Sequence, residues 1–193
     1  IDLTKPAYDV DVLVIGGGSV KKIGAFDAVT ASLEAAGLPY TVLEGVQPNP
    51  RSGKVYEGID LCRAEGVDFV LAVGGGSAID TAKAIAVGVP YEGDFWDFFS
   101  HQAADKSMPV GVVLTLSATG SEMSDSSVIT KEDGQVKRGY SSDYGRPKFA
   151  IMNPELTMTL PDYQTACGCT DIMMHTMERY FTNGGNMEIT DAI

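Results

Sequence analysis

The sequence predicts an α/β fold, a mostly parallel sheet with helices on both faces. Three observations carry this. Apolar runs of strand length alternate with segments of helical length, the pattern of βαβ units. The runs are apolar throughout, as strands covered on both faces are. The tetrapeptide Gly-Gly-Gly-Ser occurs twice, at 16–19 and 74–77, each time between such a run and a helical segment.

Taken in order, Asp11 to Ile15 is a short apolar run that meets Gly16-Gly17-Gly18, a buried strand entering a turn. A helix is expected around Phe26 to Ala36, with Gly37 at its C-cap. Tyr40 to Leu43 reads as a second strand, and Val46-Gln47-Pro48-Asn49-Pro50 as a turn. Val55, Ile59 and Cys62 give Lys54 to Glu65 a helical spacing that Gly66 ends. Asp68 to Val73 is a third strand, followed by the second glycine turn and a helix over Ala78 to Val87. Val110 to Leu116 is a fourth. Ser126 to Thr130 and Val136 to Ser142 flank Glu132-Asp133-Gly134, which predicts a hairpin with a tight turn. Phe149 to Met152 is a further strand.

The texture changes at Pro161. A proline at a helix start, with no breaker beyond Gly168, predicts a longer helix over Tyr163 to Phe181, stopped by Asn183-Gly184-Gly185. Glu188 to Ile193 reads as the opening of a further element. Two domains are therefore expected, 1–160 and 161–193.

A folded chain of 193 residues buries about 70% of its unfolded surface, enough for a sizeable core. With 44% apolar and 21% charged residues it is neither a disordered chain nor a disulfide scaffold. The balance of 14 Lys and Arg against 26 Asp and Glu, a net −12, argues against nucleic acid as a partner. Any anion site must then rely on local N–H donors. Cys62, Cys167 and Cys169 lack both disulfide-like pairing and zinc-like spacing, so reduced thiols are expected. No stretch approaches 18 apolar residues, which excludes a membrane helix and a membrane partner. No basic region precedes an apolar run at the N-terminus, so a cytoplasmic protein is expected.

The two glycine turns are the first chemical signal. Glycines let the backbone approach a phosphate closely, and a helix start adds N–H donors and a positive dipole end. Neither turn is G-x-G-x-x-G or a Lys-bearing P-loop, and one glycine turn alone is also a plain tight connection. Two in one α/β domain favour a nucleotide. After the second turn, Ser77, Asp80 and Lys83 fall within two turns of a helix start. Asp80 also reads as a first-turn acid, and Lys83 as an exposed helix lysine. After the first turn, Gly17, Gly18 and Ser19 are followed by Lys21 and Lys22, with no acid at the end of that strand. Small polar and basic groups there admit a 2′-phosphate, which leans the expectation towards NADP(H) over NAD(H).

Asp171 and His175 are the second signal. Four residues apart on a helix, they can converge on one Zn²⁺ or Fe²⁺, with Glu178 near the same face. The alternative is a simple hydrogen bond or a cap. His101, the only other histidine, sits in the polar stretch Ser100 to Lys106 and reads as surface, so no full ligand set is evident.

The string Gly74-Gly75-Gly76-Ser77-Ala78-Ile79-Asp80-Thr81-Ala82-Lys83 resembles a cofactor signature of the iron-containing (group III) alcohol dehydrogenase family. Leu114-Thr115-Leu116-Ser117-Ala118-Thr119-Gly120-Ser121-Glu122-Met123 is similar to its second signature, and Asn153-Pro154-Glu155-Leu156-Thr157 and the helix from Thr165 to Tyr180 to its third and fourth. Gly16 to Lys22 resembles the NADPH-dependent butanol dehydrogenase and aldehyde reductase branch.

The resemblance implies a Rossmann-like dinucleotide domain followed by the first helix of an all-helical metal domain. It implies hydride transfer between NADP(H) and a short-chain alcohol or aldehyde, with Fe²⁺ or Zn²⁺ as Lewis acid. Gly75, Gly76 and Ser77 would hold the pyrophosphate. Asp80, Thr115 and Thr119 would line the nicotinamide side, Lys137 and Leu156 the cofactor cleft, and Asn49 the adenosine side. Asp171 and His175 match the first two metal ligands. The family's further His ligands and its first β-hairpin have no counterpart here, so the sequence reads as a fragment, inactive by itself. A homodimer is compatible with the resemblance. The rival readings are a zinc-dependent polyol dehydrogenase or dehydroquinate-synthase-like enzyme of related fold, and a non-enzymatic nucleotide-binding module.

Overall fold

The structure, a computed structural model, describes residues 10–181. The chain divides into two compact units, one ending at Thr157 and one beginning at Met158. In the first, β1 (Val12–Gly16), β2 (Tyr40–Leu43), β3 (Phe69–Gly74), β4 (Val110–Leu114) and β7 (Phe149–Ile151) form one sheet in the order β2-β1-β3-β4-β7. Every pair in it is parallel. β5 (Ser126–Lys131) and β6 (Val136–Ser141) form a separate antiparallel hairpin.

The helices cover both sheet faces, and the side-chain alternation of the strands shows why. Leu13 and Ile15 of β1 and Val70 and Ala72 of β3 point into one core, with Val55 and Ile59 of α3 (Ser52–Glu65) and Ile79 and Ile85 of α4 (Gly76–Gly88). Val12, Val14, Leu71 and Val73 point the other way, against Val20 of α1 (Gly18–Lys22) and Phe26 of α2 (Ala25–Ala35). The strands are apolar throughout because neither face meets water. The same holds for α4, which packs against β3, α3 and β5 and is buried along most of its length. Gly58 lets α3 lie against α4, since a Cβ there would collide with Ile85 and Leu43.

The expected strands and helices are found, and three features differ. The glycine turns are already helical: α4 begins at Gly76 rather than Ala78, and the five-residue α1 precedes the expected helix. Gly24, at φ 73°, breaks α1 from α2 in a conformation that favours glycine. The hairpin connection is longer than a tight turn, a 3-10 segment at Asp133–Gln135 with Gly134 and Gln135 both at positive φ. Third, Phe95–Ser100 forms a 3-10 segment where no element was expected. It buries Phe95, Trp96, Phe98 and Phe99, and Asp94 caps it by accepting from Trp96 N–H at 2.9 Å.

The second unit contains α5 (Asp162–Tyr180), which exposes Ile172, Met173, Met174 and Tyr180. Cys167 and Cys169 are free thiols on it, and Cys62 is a free thiol in the core of the first unit. The expected stop at Asn183-Gly184-Gly185 and the element from Glu188 lie outside the described residues. Among the described residues no helix is long and apolar enough to cross a membrane.

Candidate cofactor site

The parallel registers bring the carboxyl ends of β1, β2, β3 and β4 to one edge of the sheet. Ligands bind at such an edge in open α/β sheets. At its centre stands the start of α4. Gly75 is the N-cap residue, in extended backbone, and no side chain caps the helix. The N–H groups of Gly76 and Ser77 therefore have neither a helical carbonyl nor a capping side chain to donate to, the first in α4 to find a carbonyl being Ala78, on Gly75 O at 3.1 Å. A Cβ at Gly76 would lie 2.5 Å from Thr119 Oγ1, and one at Gly75 3.2 Å from Leu116 Cβ. At Gly76 a side chain would collide with the loop after β4, and at Gly75 it would be tight.

A polar cavity of about 400 Å³ opens here, walled by Asn49, Gly76, Ser77, Asp80, Thr119 and Lys137 among others. These side chains come from four separate stretches of chain. Asn49, in the turn after β2 with φ 55°, accepts from Lys137 Nζ on β6 at 3.1 Å. Asp80 does not lie in the first turn of α4. One of its oxygens accepts from Ser121 Oγ at 2.6 Å and the other from Val128 N–H at 3.1 Å. Burial raises its pKa, and those two hydrogen bonds and the charges of Lys83 and Lys137 offset part of the rise.

Lys83 is not an exposed helix lysine; it is 1% exposed. Its ammonium donates to the carbonyls of Ser121, Ser124 and Ser126 at 2.6, 2.8 and 2.9 Å, and reaches the hydroxyls of Ser121 and Ser124. One cation thereby folds the whole 121–126 loop around itself. Burial lowers its pKa to about 8, against the raising influence of Asp80, Asp125 and Glu122.

Other expected site residues lie elsewhere. Gly17, Gly18 and Ser19 follow β1 on the same edge, outside the walls of the cavity. Thr115 follows β4 directly and donates its N–H to Gly74 O at 3.1 Å, likewise outside those walls. Leu156 packs against the α2-side core, in an apolar groove beside Leu33 and Phe149. No acid stands at the end of β1 itself, but its neighbour in the sheet supplies one. Glu44 directly follows β2, the neighbour of β1, and its Oε1 accepts from Lys21 Nζ at 2.5 Å.

On α5, His175 Nε2 lies 3.6 Å from Asp171 Oδ2 and its Nδ1 3.3 Å from Glu178 Oε2. A carboxylate and an imidazole are suitable donors for Fe²⁺ or Zn²⁺. Among the described residues, however, no group of three or more His, Cys, Asp or Glu could hold a metal. The two fit as part of a site and not as a whole one, so no chemical step is routed through a metal here.

Ser121, Ser124, Ser126 and Val128 also wall the cavity, and the sequence reading singled out none of them for it. The run Ser121-Glu122-Met123-Ser124-Asp125-Ser126-Ser127 carried a signal, because so many small hydroxyls beside a glycine suit a loop folded on a cation.

A family model described as iron-containing alcohol dehydrogenase matches residues 3–154. The chain is 49% identical over 183 residues to a "Probable NADH-dependent butanol dehydrogenase 2" of Bacillus subtilis, covering 94% of this chain and 47% of that protein. It is 38% identical over 189 residues to the "NADPH-dependent aldehyde reductase YqhD" of Escherichia coli, covering 95% and 48%. The crystal structure of NADH-dependent butanol dehydrogenase A from Thermotoga maritima superposes with a TM-score of 0.88 at 43% identity, covering 94% of this chain and 46% of that one. The chain thus spans about half the length of the curated relatives it matches.

Proposed function

From the premise that the chain belongs to the iron-containing alcohol dehydrogenase family, we propose that its first unit is the nicotinamide-dinucleotide-binding part of an alcohol dehydrogenase or aldehyde reductase. The observation that carries this is the uncapped start of α4, with its glycines, opening into a polar cavity. The N–H groups of Gly76 and Ser77 donate to the pyrophosphate, and the helix dipole favours its charge. Thr119 and Asp80 border the space beside it; Lys137, held by Asn49, sets one side of the cleft, and Thr115 and Leu156 lie further along the cofactor's path. When bound, the nicotinamide supplies the hydride chemistry. The substrate class is a short-chain alcohol or aldehyde, which the names of the relatives support. Titration of the chain with NADH and NADPH, followed by nucleotide fluorescence, tests the reading. Gly76→Ala should weaken both about ten- to a hundred-fold, since a methyl there displaces charge-assisted contacts worth about 1.5–3 kcal/mol. Unchanged affinity would place the nucleotide elsewhere.

Cofactor choice turns on the Lys21–Glu44 pair. Ser19, Lys21 and Lys22 favour the NADP(H) phosphate, whereas Glu44 suits the ribose 2′-hydroxyl of NAD(H). The two side chains are 46% and 56% exposed, so the pair itself is weak and opens readily. The site accepts both cofactors, and Glu44→Gln should shift the NADPH-to-NADH affinity ratio about tenfold towards NADPH. Lys21→Gln should shift it the other way. Ratios that stay put in both variants would remove the pair from cofactor discrimination.

Among the described residues, Asp171 and His175 are the two donors we assign to an Fe²⁺ or Zn²⁺ ion. Two donors give no preformed geometry to offset dehydration of an ion. Calorimetric titration of the 193-residue chain should therefore show weak Zn²⁺ binding, with negligible aldehyde reduction. Tight stoichiometric binding would show that the site lies elsewhere.

A further inference from the structure

The β5–β6 hairpin has a second face, and it carries chemistry the cofactor site does not use. Side chains alternate along β6, so Lys137 borders the cofactor cavity while Arg138 and Tyr140 face away from it. On that side Arg138, Tyr140, Phe98, Phe99 and His101 wall a separate cavity of about 500 Å³.

Three features of those walls are unusual, and they converge. Arg138 uses only Nη1 within the protein, towards Phe99 O at 3.5 Å and Ser100 Oγ at 3.3 Å. It makes no ion pair among the described residues, although the chain carries 26 acids. Its Nε and Nη2, the edge that grips carboxylate or phosphate in a bidentate fork, have no hydrogen-bond partner among the described residues. Tyr140 is 6% exposed, yet its hydroxyl is buried with no hydrogen-bond partner among the described residues. Burial raises its pKa, and the nearby Ser142 hydroxyl offsets only part of this. His101 holds φ at 90°, a backbone region uncommon for a residue with a side chain, as it turns the chain at the end of the 3-10 segment. No acidic residue walls the cavity, and Phe98 and Phe99 give it an apolar side.

We infer that this cavity is a second ligand site, which takes a small oxyanion, a carboxylate or phosphate carried on a partly apolar molecule. The free edge of Arg138 receives the oxyanion. The phenyl rings of Phe98 and Phe99, with the buried ring of Tyr140 behind them, cover the apolar part. The inference does not rest on the cofactor reading, since the two cavities share no wall residue.

The protein carries its own reporter. Trp96, the only tryptophan, stacks on Phe99 with ring centroids 5.1 Å apart and planes 10° from parallel. Inorganic phosphate and benzoate, titrated at ionic strength matched with sodium chloride, should each be tested for a saturable change in Trp96 fluorescence. A response to either supports the site, and which probe binds more tightly identifies the oxyanion. Arg138→Gln should weaken that response at least about tenfold. Arg138→Lys keeps the charge without the fork and should lose affinity as well, which covers the case in which Arg138→Gln does not fold. No saturable response to either probe, or an unchanged curve in Arg138→Lys, would overturn the inference.

Discussion

Replacing Lys83 with methionine should lower the stability of the chain by about 3–5 kcal/mol, the cost of removing one partner from a buried charged network. Methionine matches the length of the side chain and offers no donor. The carbonyls of Ser121, Ser124 and Ser126 and the hydroxyls of Ser121 and Ser124 would all lose the ammonium together. Because Ser121 also donates to Asp80, and Thr119 stands against Gly76, the wall of the cofactor cavity should loosen with the loop. Urea unfolding should show a lower midpoint at an unchanged slope, and titration should show NADH affinity lost even where the variant is still folded. A loss below about 1 kcal/mol would mean that water replaces the ammonium without difficulty.

Phe95→Ala should cost about as much, roughly 3–5 kcal/mol, as large-to-small changes at packed aromatic sites do. Phe95 is 2% exposed and meets Tyr56 edge-on, with ring centroids 4.7 Å apart, and Phe99 at 5.9 Å. The neighbours are themselves rings, Tyr56 held on α3 and Phe99 in the 3-10 segment, so the gap should not close by collapse. The variant should keep its far-ultraviolet circular dichroism and melt well below the parent chain. Little change in melting would show that the aromatic segment is held by Trp96 and Phe99 without it.

The parallel sheet was legible because its strands obey a single rule. Leu13 and Ile15 face one core and Val12 and Val14 the other, so the run had to be apolar at every position. The aromatic segment followed no such rule. In Phe95-Trp96-Asp97-Phe98-Phe99 the spacing is neither 2 nor 3.6, and it becomes intelligible only once the hairpin and α3 supply a place to bury the rings. At the candidate site, residues in the glycine signatures stood out, whereas the bonds that assemble them did not. Lys137 and Asn49 are 88 positions apart, and Asp80 and Val128 are 48 apart. No local pattern signals such pairs. Lys83 was misleading for a related reason: a lysine on a helix reads as solvated until a loop some 40 residues on is known to wrap it. Glu44 escaped notice because it neighbours the first glycine turn through the sheet and not along the chain.

The strand order has a kinetic consequence. Each pairing in the five-stranded sheet joins segments separated by helices or, for β4 and β7, by the whole hairpin, so each requires a long loop to close before any ladder forms. The β5–β6 hairpin alone pairs neighbours in sequence, and hairpins form in about 1–10 μs. It can therefore exist long before the sheet, but it has nothing to pack on. Its anchors, the Arg51–Thr130 bridge and the bonds that Val128 N–H and Ser127 Oγ donate to Asp80, wait on α3 and α4. The hairpin should therefore become lasting only once α3 and α4 are in place to receive those contacts.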